Sequence, residues 1–432
     1  MSKIKKILAI QMILLAVVSV YSNIVYADEL TATDKSLTES ATSKSVEILS
    51  KHAILVNQDS GQILAEHNSR EKAYPASTTK LMTAILTLEN CNLDDEVVVD
   101  KDALLGIPKS YTTASLKPDE KLSVRELMHV LLIPSANDAA NVLAYHISGS
   151  IDKFAEKMNA KALEIGCENT HFTNPSGIHD DNHYSTAYDM ALIGKYATKF
   201  DTITEIATNT ECSLSPLPTG APRTFKTTNT LISPKNKYYY EYATGLKTGY
   251  TDKARSCIVA TAKKDSINLL CVILGGEKTE DGKSQRELDC RSLFEYGFNN
   301  YVYKDVCIEN SSFDKSNAQN VPNELQNANI TYSKTLSLML PVDDSYTIET
   351  NFFSDVQLPI SRGTIVGKTT YTVDNVDYSV DLILDEDVLP VSFFDVQYVF
   401  KALVSILVIA LLFLFIKKKK KSDSKYFKRS LY

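Results

Sequence analysis

Residues 402–416, ALVSILVIALLFLFI, carry no charged side chain, and five lysines follow at once. With residues 396–400 included, and Lys401 able to run its ammonium group out to the headgroups, the stretch 396–416 is long enough to cross a bilayer as a helix. A buried core helix has no use for a lysine block at its end. Such blocks stay on the cytoplasmic side. The expectation is a basic cytoplasmic tail over 417–432, with everything from residue 28 to about 398 outside. The other end of the chain agrees. Lys3, Lys5 and Lys6 precede an apolar run over 7–20, and Val25-Tyr26-Ala27 closes it, the layout of a signal peptide over 1–27.

Charge follows this partition. The 432 residues carry a formal −7. With the leader's three lysines and the tail's net +7 set aside, the exported remainder carries −17. So acidic a surface excludes a nucleic-acid partner and leaves membrane contact to the helix and its tail. The seven cysteines are scattered, with no CxxC and no metal-ligand spacing. Most sit in apolar company and read as small core residues rather than a disulfide framework.

Residues 28–50 are rich in Ser, Thr, Lys and Glu and read as a flexible leader. HAILVNQDSGQILAEHN predicts two alternating strands around a turn at Asp59-Ser60-Gly61. Ser123 and Glu126, three apart, predict a capping box at the head of an amphipathic helix. Three strands are expected around 244–275, with helices between the early and late strands. That is an α+β layout, a sheet covered by helices, over 51–301. From about residue 302 to 390 Asn, Ser, Asp, Thr and Tyr take over, and alternation predicts a small all-β domain.

YPASTTKLMTAILTLE, residues 74–89, has apolar residues around most of a helical circumference, with Pro75 and Ser77 suited to its start. Yet Lys80 stands at the head of the run, where an isolated ammonium group would lack water. Ser77 and Lys80 are three apart and share a helix face. A lysine that is buried, or near a second cation, gives up its proton more easily and can activate a neighbouring hydroxyl. Alone, the SxxK pattern fits a snorkelling lysine equally well. Ser135-Ala136-Asn137 could point a hydroxyl and an amide into a cleft, or Ser135 could simply cap a helix after Pro134. Lys247-Thr248-Gly249 could hold a carboxylate from a strand edge, with Gly249 allowing backbone to approach backbone, or Lys247 could be an exposed turn lysine.

In this order and spacing, SxxK, SxN and KTG form the signature of penicillin-binding proteins and serine β-lactamases. NPSGIHDDNHYSTAYDMA, TTNTLI, GLKTGYTDKARSCIVATA and DCRSLFEYGF narrow the likeness. The chain resembles the low-molecular-mass D-alanyl-D-alanine carboxypeptidases from about residue 51 to 301, and more loosely through the β-rich region. The resemblance implies a five-stranded antiparallel sheet flanked by helices, then a small all-β domain and a C-terminal anchor. It implies Ser77 as acyl-ester nucleophile, Lys80 as its base and Ser135 as proton relay to the leaving D-alanine. Asn137 would bind the substrate amide, Lys247 and Thr248 the terminal carboxylate, and the backbone N–H groups of Ser77 and Tyr250 the oxyanion. The implied partners are peptidoglycan stem peptides and β-lactam antibiotics, with no cofactor. Two departures stand out: Tyr250 replaces the His many relatives carry after KTG, and Ser176-Gly177-Ile178 replaces His-Gly-Leu in a segment expected to be structural.

Three other readings remain. A serine β-lactamase shares all three motifs but calls for a carboxylate that activates the deacylating water, and none is identifiable in the sequence. His179, Asp180, Asp181 and His183 could form a zinc cluster, although GIHDDNHYST has loop composition. A wall-binding protein with a decayed site would be expected to lack some catalytic side chains, and none is missing.

Overall fold

The computed structural model describes residues 46–215, 220–354, 356–390 and 396–427. The stretch expected to be a signal peptide, and most of the expected leader, lie outside them. Five strands form one antiparallel sheet: β1 (His52–Asn57), β2 (Ile63–His67), β3 (Ala243–Thr251), β4 (Arg255–Lys264) and β5 (Ile267–Gly276), in the order β2-β1-β5-β4-β3. Cys271 of β5 pairs with Leu55 on one side and Ala260 on the other, which fixes the register.

The apolar runs of β4 and β5 have a simple cause. Successive side chains in a strand face opposite ways, and here both faces are covered. Ile54, Val56, Leu270, Val272 and Leu274 pack into the larger core with the helical region. Leu55, Ile258, Ala260, Cys271 and Ile273 pack on the other side with Cys290, Leu293 and Phe294 of the closing helix. A strand covered on both faces has no reason to alternate.

The longer helices of this region are α1 (Lys80–Asn90), α2 (Val124–Leu132), α3 (Asn137–Ser148), α4 (Ile151–Ile165), α5 (Ala187–Ala197) and α6 (Gln285–Asn300). α1 is central and packs on α2, α3, α4 and α5, so every residue from Lys80 to Thr87 is buried. Its start differs from a plain helix N-terminus. A 3-10 turn, Ala76–Thr79, carries the serine, and the α-helix proper begins at Lys80. The predicted capping box closes α2: the Glu126 N–H donates to Ser123 Oγ at 3.2 Å, and the Ser123 N–H donates to Glu126 Oε2 at 2.9 Å. Six of the seven cysteines are buried.

The chain divides into two compact units. One holds everything described up to Val306, with Leu336–Ile348 and Tyr371–Tyr378; the other holds Cys307–Thr335, Glu349–Thr370 and the residues from Ser379 onward. Before its last helix the C-terminal region is built of strands, with two short 3-10 turns at Lys315–Asn317 and Asn323–Leu325. Ile330–Tyr332, Val376–Leu384, Ile365–Val373 and Tyr346–Phe352 form a four-stranded sheet in that order. Phe313, Leu325, Ile330 and Leu382 share a small core in the second unit. The chain then enters α7 (Val396–Phe427), whose stretch Tyr398–Lys418 is 21 residues long, with none of it buried. At 1.5 Å per residue that is about 30 Å of helix, the thickness of a bilayer's hydrocarbon core.

Candidate active site

The turn before α1 is locally strained. Ala76 has φ +48°, a conformation most side-chain-bearing residues avoid. The next residue, Ser77, presents its hydroxyl to a cleft of about 370 Å³. Lys80 lies one turn on, fully buried. Its Nζ is 2.9 Å from Ser77 Oγ, 2.8 Å from Asn137 Oδ1 and 2.6 Å from the Ser176 carbonyl oxygen.

These three partners determine what the amine can do. A neutral amine has two N–H donors and one lone pair. Asn137 Oδ1 and the Ser176 carbonyl can only accept, so they take the two N–H groups. The lone pair is left for Ser77, whose O–H can donate to it. The Asn137 amide is oriented by its other end, where Nδ2 donates to the Thr112 carbonyl at 2.9 Å. Electrostatics favours the same protonation state. Burial first, then the Lys247 ammonium, pushes the Lys80 pKa well below the usual lysine range, against a smaller opposing pull from Asp138.

Lys247 reaches the site from β3. It too is buried, and its Nζ donates to the Thr248 carbonyl at 2.9 Å. Burial, and then the Arg286 guanidinium, lower its pKa to about 7. The Thr248 and Thr228 hydroxyls are hydrogen-bonded to each other. Gly249 is where β3 meets the nucleophile's turn: a Cβ there would stand 2.8 Å from the Ser77 backbone nitrogen. No larger residue allows that approach. Tyr250 follows, more than half exposed, with its hydroxyl donating to Asp252 Oδ1 at 3.2 Å.

Ser135 sits between α2 and α3 with φ +68°, again left-handed. It lines the cleft with Ser77, Asn137, Thr248, Gly249 and Tyr250. Lys80 and Lys247 stand buried behind that wall. All eight candidate residues are thus gathered around one cavity, although 170 positions separate Ser77 from Lys247.

The sequence profile of the D-alanyl-D-alanine carboxypeptidase family matches residues 38–278. The chain belongs to this family. It is 33% identical to the D-alanyl-D-alanine carboxypeptidase DacF of Bacillus subtilis, over 61% of this chain and 66% of that one. It is 32% identical to the D-alanyl-D-alanine carboxypeptidase DacB2 of Mycobacterium tuberculosis, over 57% of this chain and 81% of that one. Among solved structures, a peptidoglycan synthesis regulatory factor (PBP3) from Streptococcus pneumoniae superposes with a TM-score of 0.61 at 25% identity, covering 79% of this chain and all of that one. Serine D-alanyl-D-alanine carboxypeptidase is accordingly the activity of this chain.

The carboxypeptidase cleft also contains groups that sequence reasoning missed. The segment 176–178, expected to be structural, supplies a carbonyl to the lysine amine. Asn174 holds it in place: its Oδ1 accepts from the N–H groups of Ser176, Gly177 and Ile178 at 2.8–3.2 Å. Asn-Pro-Ser-Gly is a readable turn, but its contribution is a backbone atom. Tyr111, Thr112, Thr228 and Arg286 line the cleft as well. Arg286 opens α6, and its Nη1 donates to the Cys257 carbonyl at 3.2 Å.

The four residues of the zinc reading are held by contacts of their own in this carboxypeptidase, Asp180 through Oδ1, which accepts from the Asn182 N–H at 2.8 Å. His183 is buried, accepts from the Thr173 N–H at 3.1 Å through Nδ1, and has Nε2 2.8 Å from Thr79 Oγ1. Burial lowers its pKa to about 3, against a smaller opposing pull from Asp180. His179 stands edge-on to the Tyr74 ring, with Nε2 3.3 Å from Asp181. Among the described residues, no three His, Cys, Asp or Glu side chains are grouped as a metal site.

Proposed function

We propose that this chain removes the terminal D-alanine from peptidoglycan stem pentapeptides through an acyl-ester on Ser77. The observation that carries the reading is the Lys80 amine, whose two N–H groups are occupied by acceptor-only oxygens and whose lone pair is left to Ser77.

The steps follow from the groups around the cleft. Lys80 takes the Ser77 proton as Oγ attacks the carbonyl between the two D-alanines. The Ser77 and Tyr250 N–H groups receive the oxyanion, a contribution of about 3 kcal/mol per donor. Gly249 supports this role, since it lets β3 lie against Ser77. Ser135 passes a proton to the departing D-alanine nitrogen. Lys247, Thr248 and the neighbouring Arg286 hold the leaving carboxylate. Asn137 gives one N–H to Thr112, and the second serves the substrate amide. Water then hydrolyses the acyl-enzyme.

The deciding experiment supplies a stem pentapeptide and benzylpenicillin separately. One D-alanine released per peptide, together with a long-lived penicilloyl adduct, is expected. Many rapid turnovers of penicillin with the pentapeptide left intact would make the chain a β-lactamase.

The topology belongs to the same proposal: catalytic domain outside, Tyr398–Lys418 across the membrane, basic tail inside. Its support is the apolar helix followed directly by lysines. A chain ending near Asp387 should be released as a soluble protein that still acylates, because every cleft residue precedes Arg286 or is Arg286 itself. Retention of that truncated chain in the membrane fraction would overturn the assignment of α7 as the anchor.

A further inference from the structure

A second cavity of about 370 Å³ shares the β3–β4 turn with the catalytic cleft. Thr251 and Asp252 line the cleft, whereas Lys253 and Ala254 line the second cavity. Tyr74, three residues before the nucleophile, lines it too. The cavity is cationic: Lys51, Lys72 and Lys253 face it, against one carboxylate, Asp181, which lies 3.3 Å from His179. Lys51 is shared with Glu277 at 3.7 Å. Lys72 is held over the Tyr184 ring, 4.1 Å from its centroid. Among the described residues, neither Lys72 nor Lys253 has a carboxylate partner. In an exported portion of net charge −17 this concavity opposes the overall field.

The direction of the substrate leads toward it. The leaving carboxylate is assigned to Lys247 and Thr248, and the scissile carbonyl to Ser77 and Tyr250. Going from the leaving side to the acyl side therefore means moving along β3 from Lys247 to Tyr250. The acyl-side residues continue past Tyr250 toward the β3–β4 turn. An extended peptide advances about 3.3 Å per residue, so two or three further residues reach the level of Lys253.

We infer that the cavity of Lys51, Lys72 and Lys253 is a subsite for a free carboxylate on the substrate peptide, two or three residues before the scissile bond. The inference rests on the carboxypeptidase reading of the cleft. It assigns these lysines to substrate selection and leaves the chemistry to the cleft.

The test uses the full chain, its Lys72→Glu/Lys253→Glu variant and three substrates. One peptide bears the carboxylate, the second is the same peptide with that carboxylate as an amide, and the third is N-acetyl-D-alanyl-D-alanine, too short to reach the cavity. The parent should prefer the carboxylate peptide by about tenfold in kcat/KM, mainly through KM. The double variant should lose that preference while keeping its rate on the short substrate and its acylation by benzylpenicillin, which also reports folding. Equal rates of the parent on the two long peptides overturn the inference and leave the cations to an anion not attached to the substrate, such as a wall phosphate. An equal loss by the variant on long and short substrates overturns it as well. If the parent releases D-alanine from none of the three, the carboxypeptidase reading fails first and the inference falls with it.

Discussion

Lys80→Arg should fold, retain weak penicillin binding and lose acylation by about two to four orders of magnitude, the range that a positioned general base contributes. Arginine carries a permanent charge: a guanidinium group does not give up its proton at working pH and so offers no lone pair to Ser77. Lys247→Arg should lose far less, because a carboxylate needs only a cation there. The pH profiles separate the two residues further. Acylation requires neutral Lys80 and therefore rises with pH as that amine deprotonates, at a pH held low by burial and by Lys247. Lys247 has the opposite requirement: it holds the substrate carboxylate only while charged, and its pKa is about 7. The kcat/KM for a carboxylate-bearing peptide should then fall on the alkaline side from about pH 7. In Lys247→Arg that alkaline limb should disappear, since the guanidinium stays charged. Stopped-flow acylation and kcat/KM of both variants against pH check this. Lys80→Arg acylating nearly as fast as the parent would reduce Lys80 to a structural residue.

Ser77→Ala should abolish both covalent labelling by penicillin and D-alanine release, with the fold intact. The variant removes one of the three Lys80 partners and leaves the two carbonyl oxygens, of Asn137 and Ser176, in place. Both amine N–H groups keep their acceptors and only the lone pair loses its partner, so the stability change should be about 1 kcal/mol. Mass spectrometry of the penicillin-treated parent should locate the adduct on Ser77. An adduct in the Ala variant, on Ser135 or on Ser110 at the same cleft, would move the nucleophile.

Much of this arrangement was legible in the sequence for identifiable reasons. Side chains that must meet at fixed offsets leave a pattern, as Ser77 and Lys80 do, or Ser123 and Glu126. The apolar circumference of α1 was legible because α1 is packed on several sides. The continuous apolar runs of β4 and β5 likewise reflect burial on both faces. Ser176 was not legible as a site residue, because what it offers Lys80 is a carbonyl that every residue possesses. Thr112 was missed for the same reason: its carbonyl orients Asn137 from a loop without periodicity. Arg286 gives no local sign of facing the cleft, since only the packing of α6 brings it there.

Gly177 has a consequence for the order in which the enzyme comes into being. It lies in the left-handed region at φ +76°, and a Cβ there would stand 1.8 Å from the Ala76 carbonyl oxygen. The segment carrying the Ser176 carbonyl therefore presses directly against the segment carrying the nucleophile. During synthesis, Ser77 and Lys80 emerge long before residue 177. Until the later segment docks, the amine lacks one of its two carbonyl acceptors. The nucleophile and its base are thus made first but completed last, and the chain becomes an acylating enzyme only when a distant part of the fold closes over them.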